Sequence, residues 1–266
     1  METNDTKNTK VVILAGGYGT RISEETAVRP KPMVEIGGKP ILWHIMKMYA
    51  HFGYKDFVIL CGYKSDVIKD YFSNYFLRKS DVTIDVLNQK LEVIKNGIED
   101  WRVTLIDTGE KTLTGGRLKR AREYIGDDTF LMTYGDGVSN VDVLALVDFH
   151  KNEKALVTVT AVKSPGRFGT FHLKKGQTRI KNFREKPEDD GIRINGGFFV
   201  VEPKALDYIA GDDTSWELEP MQKLAERGEL AGFHHDGFWH PMDTLRDKHV
   251  LEEMWQKGAP WNIWEK

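Results

Sequence analysis

The densest chemical pattern in the chain is a short run near its start: Leu14, Ala15, Gly16, Gly17, Tyr18, Gly19, Thr20 and Arg21. Closely spaced glycines let backbone N–H groups crowd a ligand, because no Cβ blocks the approach. Loops of this kind cradle phosphates, and Arg21 places a cation directly behind this one. Further on, Lys31 stands between Pro30 and Pro32, which stiffen the backbone and present its ammonium at low entropic cost. Arg29, just before that pair, is a second candidate phosphate cation. Two familiar phosphate loops fail on spacing. A dinucleotide G-x-G-x-x-G read from Gly17 and Gly19 needs a glycine where Ile22 stands. A Walker A loop needs Gly-Lys-Ser/Thr where the chain has Arg21 or Ile22.

The carboxylates that could serve such a loop are Asp136 and Asp243. Asp136 lies between Gly135 and Gly137, directly after a buried-type strand, where open α/β sheets form their ligand crevice. The alternative there is a plain Asp-Gly turn. Asp243 precedes the last helical pattern and reads equally as its N-cap. His234, His235 and His240 invite a zinc reading, but adjacent histidines in a strand face opposite ways. The sequence has no G-x-S-x-G elbow for a covalent nucleophile. Taken bare, Glu185, Lys186 and Pro187 are a turn with a solvated charge pair, and the basic run from Arg117 to Arg122 is a solvated helix face. Asn195, ahead of Gly196 and Gly197, offers both a donor and an acceptor, which suits a hydroxyl ligand.

The elements that must position these groups alternate between β-branched runs and helical spacing, the signature of βα units around a largely parallel sheet. Strands are predicted over residues 11–15, 56–61, 82–86, 103–107, 129–134 and 155–162. Helices are predicted from Pro40 to Phe52, along the stripe of Val67, Ile68, Tyr71, Phe72 and Tyr75, and over 117–124 and 141–152. Beyond Gly166 short strands and turns take over, at 168–173, 180–183 and 197–201. Two late helices, 217–227 and 244–257, bracket a strand at 230–234. Trp255, Trp261 and Trp264 read as packing or subunit contact.

Composition bounds the rest. With 38 basic and 40 acidic residues, net −2, the chain lacks a global basic field for a nucleic-acid polymer. No apolar run approaches the roughly 20 residues needed to span a bilayer. Residues 1–10 are polar, read as a flexible extension rather than a secretory signal. The single cysteine, Cys61, rules out an intrachain disulfide and fits a reducing cytoplasm. One domain is expected over 11–266, with a nucleotide half to about residue 162 and a second-substrate half after it.

The loop followed by Pro30-Lys31-Pro32 resembles the signature of the sugar-1-phosphate nucleotidyltransferases. The likeness continues through Gly135-Asp136-Gly137, Glu185-Lys186-Pro187 and Asn195-Gly196-Gly197, so it covers nearly all of the chain. Residues 36–44, 114–120 and 241–247 are similar to the members of the family that transfer a cytidylyl group to glucose 1-phosphate. The resemblance implies a Rossmann-like, GT-A-like mixed sheet, mostly parallel, flanked by helices, with a small additional β region in the C-terminal half. It implies CTP and glucose 1-phosphate as substrates, CDP-glucose and diphosphate as products, and a place in O-antigen-type deoxysugar synthesis. Arg21 and Lys31 would be catalytic, and Asp136 and Asp243 would hold one Mg²⁺. Besides the loop, Thr112, Arg117, Gly135 and Asp136 would meet the nucleotide, with Thr112 and Arg117 on a segment reaching over it. Gly169, Glu185, Lys186, Asn195 and Gly196 would take the sugar phosphate. A homo-oligomer, a hexamer by resemblance, is implied as well. The sequence itself leaves thymidylyl or uridylyl transfer open, as well as a non-catalytic nucleotide-sugar-binding subunit. The last is disfavoured because Arg21, Lys31, Asp136 and Asp243 are all present. A glycosyltransferase would need a D-x-D pair where Asp136 is followed by Gly137 and Val138.

Overall fold

The computed structural model describes residues 9–95, 97–163, 170–172, 181–184 and 193–265. Its centre is strand β1 (Lys10–Ala15), in which Val11, Val12 and Ile13 are fully buried. A strand apolar on both faces belongs in the middle of a parallel sheet. β1 pairs in parallel with β2 (Asp56–Cys61) on one side and with β4 (Phe130–Tyr134) on the other. β2 pairs in parallel with β3 (Arg102–Asp107). The register sets Ala15 beside Cys61, Cys61 beside Asp107, and Leu14 beside Tyr134. The loops leaving all four strands therefore open at one edge of the sheet.

Beyond β4 the sheet turns mixed. β5 (Val157–Lys163) is antiparallel to both β6 (Arg193–Asn195) and β7 (Phe199–Val201), and β7 is antiparallel to β4. On its other side β5 runs parallel with β8 (Leu230–His235). Alternation along β1 feeds two cores. Val11, Ile13 and Ala15 pack under helix α1 (Ile41–His51), whereas Val12 and Leu14 pack with Leu118, Ala121 and Ile125.

Most predicted elements occur, with instructive shifts. The helical stripe after Ser65 is two helices, Ser65–Ser73 and Tyr75–Lys79, interrupted at Asn74. The basic helix α2 (Thr114–Arg120) starts earlier than expected, because Gly115 and Gly116 carry no apolar period to reveal it. Those glycines are packing requirements. A Cβ on Gly115 would lie 2.7 Å from the Thr214 carbonyl oxygen, and one on Gly116 would lie 2.6 Å from Asp212 Cα. Strand Lys90–Lys95, unforeseen in the sequence, completes a hairpin with Asp81–Asp85. Two further short strands, Gly137–Ser139 and Trp239–Pro241, pair with each other and matter for the site. The last helix, α3 (Leu245–Gln256), is capped by Thr244 in a reciprocal capping box with Asp247. Asp243 is therefore not the N-cap, which leaves its carboxylate for other work. Among the described residues no helix is long and apolar enough to cross a membrane.

Candidate active site

The glycine loop lines a cavity of about 360 Å³ at the carboxyl ends of β1 and β4. Its wall includes Leu14 to Arg21, Lys31, Thr112, Arg117, Gly135, Asp136 and Asp243, which brings together the residues expected at the nucleotide with the exception of Arg29. Gly19 takes a left-handed backbone, φ 63°, and a Cβ there would sit 2.8 Å from Thr26 Cγ2. Gly17 differs, since a Cβ there would meet nothing within 4 Å. The fold does not demand glycine at that position, so the open space is room for a ligand to approach the backbone.

The two carboxylates are delivered by the short ribbon Gly137–Ser139 and Trp239–Pro241. Gly137 faces Pro241 across it, and the Met242 N–H donates to the Asp136 carbonyl at 2.8 Å. Asp136 enters the ribbon and Asp243 leaves it, so both side chains emerge at the same end. Both converge on the Lys31 ammonium, Asp136 Oδ2 at 2.7 Å and Asp243 Oδ1 at 2.8 Å. Arg21 grips Asp243 with both terminal nitrogens, at 2.9 and 3.1 Å. Burial alone would push the Lys31 ammonium down, but Asp136 and Asp243 outweigh it and hold its pKa above the usual lysine value. Lys31 is charged here.

Arg117 behaves unlike a solvated helix residue. Only 4% exposed, it donates to the carbonyls of Gly16 (2.9 Å), Cys61 (3.1 Å), Gly109 (2.7 Å) and Glu110 (3.2 Å) and to the Thr108 hydroxyl (2.7 Å). None of these acceptors is a carboxylate, so a buried positive charge stands behind the loop and favours an anion in front of it. Gly16 and Gly62 make its room, since a Cβ on either would lie 2.2 Å from Arg117 Nη1. Arg117 thus borders this cavity, with its guanidinium committed to the chain's own backbone. Arg29 pairs with Glu35 at 3.1 Å and lies outside the wall of this cavity.

A second, smaller cavity of about 230 Å³ adjoins the first, lined by Tyr134, Asp136, Asn195, Gly196, Trp239 and Asp243 among others. Asn195 and Gly196 therefore stand across the two carboxylates from the glycine loop. Gly169, Glu185 and Lys186 lie outside the described residues. Sequence reasoning missed Tyr134, Thr114, Glu110 and Lys111, all in the wall of the larger cavity. Tyr134 was hidden as the last residue of an apolar strand. Glu110 and Lys111 sit in a loop without a motif, and Thr114, the first residue of α2, stands in a stretch that resembles the family but is not singled out there as a site residue.

The model of the nucleotidyl transferase family matches residues 10–244, nearly the whole of the chain, a span that includes the lining of both cavities. The chain belongs to the nucleotidyl transferase family. The glucose-1-phosphate cytidylyltransferases of Salmonella typhimurium and Salmonella typhi are each 59% identical to it over 258 residues, spanning 96% of this chain and 100% of theirs. Among solved structures, HddC from Yersinia pseudotuberculosis superposes with a TM-score of 0.67 at 24% identity, over 93% of this chain and 99% of that one. That likeness is one of fold, and it matches the mixed, mostly parallel sheet.

Nucleotidyl transferases of this family typically use a divalent metal. Two carboxylates already aimed at one cation suit such an ion. Among the described residues no group of three or more His, Cys, Asp or Glu gathers to hold a metal. Two carboxylates with phosphate oxygens and water completing the shell is the usual arrangement for a hard cation on a nucleotide.

Proposed function

We propose that this chain transfers the cytidylyl group of CTP to α-D-glucose 1-phosphate, releasing diphosphate and giving CDP-glucose. The 59% identity across the full length of the Salmonella enzymes carries the choice of base and sugar. The cavity's chemistry supports the reaction class. Arg21, Lys31, Lys111 and Arg117 border it, a set of cations suited to a triphosphate. Mg²⁺ bound between Asp136 and Asp243 would neutralise charge on the transferring phosphate. The sugar phosphate oxygen attacks the α-phosphorus in line, with no covalent enzyme intermediate, so catalysis is positioning and charge neutralisation. The backbone amides of the glycine loop bind the phosphates. Thr112 borders the nucleotide, and Arg117 supplies positive charge from behind the glycine loop. Gly169, Glu185, Lys186, Asn195 and Gly196 take the sugar phosphate, with the Lys186 ammonium on its phosphate.

The same reading makes the protein a cytoplasmic homo-oligomer, a hexamer by resemblance, that feeds O-antigen-type deoxysugar synthesis. The hairpin of Asp81–Asp85 and Lys90–Lys95 supports assembly, since Ile84, Val86, Leu87 and Ile94 are each at least 60% exposed on it. Incubation with Mg²⁺, glucose 1-phosphate and each nucleoside triphosphate separately, read as diphosphate release, tests the assignment. CTP should be turned over far faster than dTTP or UTP. Equal or faster release with either of those would move the chain to a different member of the family.

A further inference from the structure

Asn195 and Thr114 belong to different cavities, yet a chain of side-chain hydrogen bonds joins them through one carboxylate, that of Glu217. Asn195 Nδ2 donates to the Tyr134 hydroxyl at 3.1 Å, and that hydroxyl donates to Glu217 Oε1 at 2.9 Å. Glu217 Oε2 accepts from Thr114 Oγ1 at 2.7 Å and from Ser215 Oγ at 2.7 Å. Thr114 Oγ1 in turn accepts the Trp216 N–H at 2.9 Å. Tyr134 lines both cavities and Thr114 lines the larger one. Nothing in the sequence motifs marks Glu217.

The carboxylate gives this chain of bonds a direction. A tyrosine hydroxyl has one proton, and a charge-assisted bond to a carboxylate is about twice as strong as a neutral one. Tyr134 therefore donates its one hydrogen bond to Glu217 and has only lone pairs left for Asn195. Asn195 must then present its NH₂ to Tyr134 and its carbonyl to the Gly197 N–H, which it meets at 2.8 Å. One amide proton and one carbonyl lone pair remain, both with fixed direction, for a hydroxyl-bearing ligand. Without the carboxylate the tyrosine proton could turn toward Asn195, and only the Gly197 N–H would be left to hold the amide's orientation.

We propose that Glu217 is a positioning residue for the transfer: through Tyr134 it fixes which way Asn195 faces the sugar phosphate, while its second oxygen holds Thr114 at the nucleotide. This rests on the reading that Asn195 binds the sugar phosphate. Glu217 is not needed to dock the nucleotide segment itself. The Leu113 N–H reaches the Asp212 carbonyl at 2.9 Å and the Gly116 N–H reaches the Thr214 carbonyl at 3.2 Å without it.

The test is steady-state kinetics of Glu217→Gln, Tyr134→Phe, Asn195→Ala and the double variant Glu217→Gln with Tyr134→Phe, each checked by thermal melting. Glu217→Gln should melt within a few degrees of wild type and raise KM for glucose 1-phosphate about tenfold, the scale of one misdirected polar contact. Its KM for CTP should rise less. Tyr134→Phe should raise KM for glucose 1-phosphate similarly, and the double variant should lose no more than the worse single, because both cut the same chain of bonds. If Asn195→Ala raises that KM while Glu217→Gln and Tyr134→Phe leave it at wild type, the directing role of Glu217 is wrong and the sugar-side reading stands. If Asn195→Ala leaves it unchanged, the sugar-side reading fails and takes the proposal with it. Additive losses in the double variant would also overturn it.

Discussion

Lys31 competes with any cation that is to sit between Asp136 and Asp243. Its ammonium is within 2.8 Å of both, and it is 8% exposed, so it cannot simply swing into water. Its natural alternative partner is phosphate charge brought by the nucleotide, which would release the carboxylates to a divalent ion. Two expectations with opposite signs follow for Lys31→Ala. Mg²⁺ titrated calorimetrically into the nucleotide-free protein should bind more tightly than in wild type, because no ammonium competes for the carboxylates. Single-turnover chemistry at saturating CTP should nevertheless slow at least about a hundredfold, on the scale of 3 kcal/mol for one preorganised charge donor. Unchanged chemistry with weakened CTP binding would reduce Lys31 to a tether. Unchanged metal affinity would mean that the ion binds elsewhere.

At the scale of elements, the site depends on keeping the four strand ends together, and Arg117 spans three of them. Its planar fork meets the end of β2 and the loops after β1 and β3 simultaneously, which a lysine ammonium cannot imitate. Arg117→Lys should therefore lower stability as well as weaken CTP binding, by roughly 2–4 kcal/mol for loss of a buried hydrogen-bond network. Gly62→Ala reaches the same outcome from the opposite side, by thrusting a methyl into the guanidinium. Denaturant midpoints and CTP titrations of the two variants should move together. A wild-type midpoint with weakened CTP binding would make Arg117 a nucleotide contact alone. This coupling shows what the sequence could and could not yield. The glycine loop and Lys31 stood out by local spacing, whereas Asp136 and Asp243 were singled out as a pair only through the resemblance to the family. The burial of Arg117 was not legible, because the space for it is made by Gly16 and Gly62, residues remote in sequence from α2. The choice between N-cap and site residue for Asp243 likewise turned on the adjacent Thr244 and its hydrogen bond to Asp247, which spacing alone does not rank. Short pairings such as Gly137–Ser139 with Trp239–Pro241 escape periodicity altogether, since three residues cannot display a period.

At the scale of the whole molecule, the late segment that carries Asp243 is anchored onto the first half through His44. This histidine of α1 is 1% exposed and surrounded by Trp43, Trp255, Trp261 and Trp264, with ring centroids 4.7 to 6.2 Å away. Its Nε2–H donates to the Ile36 carbonyl at 2.9 Å, and its Nδ1 accepts from Trp261 Nε1 at 3.4 Å, so the neutral ring fits and an added proton does not. Burial pushes its pKa down to about 4, against which the Ile36 carbonyl and Glu252 give only partial relief and Lys39 adds to the shift. The unfolded chain takes up a proton near the ordinary value of about 6.5 while the folded protein refuses it until about pH 4. Stability must therefore be complete above pH 6.5 and be lost as the pH falls toward 4, by roughly 3 kcal/mol from this group. Carboxylates elsewhere also titrate in the lower part of that range, so the informative quantity is the difference from His44→Gln, which retains a donor for Ile36 but has nothing to protonate. Urea midpoints measured from pH 7.5 to 4 should fall more steeply for wild type than for the variant, with the divergence opening just below pH 6.5. Because the C-terminal tryptophans would loosen with His44, their fluorescence should change with the same midpoint. Parallel curves for the two proteins would show that His44 is protonated without strain, and that the link between α1 and the Asp243 segment does not depend on its neutrality.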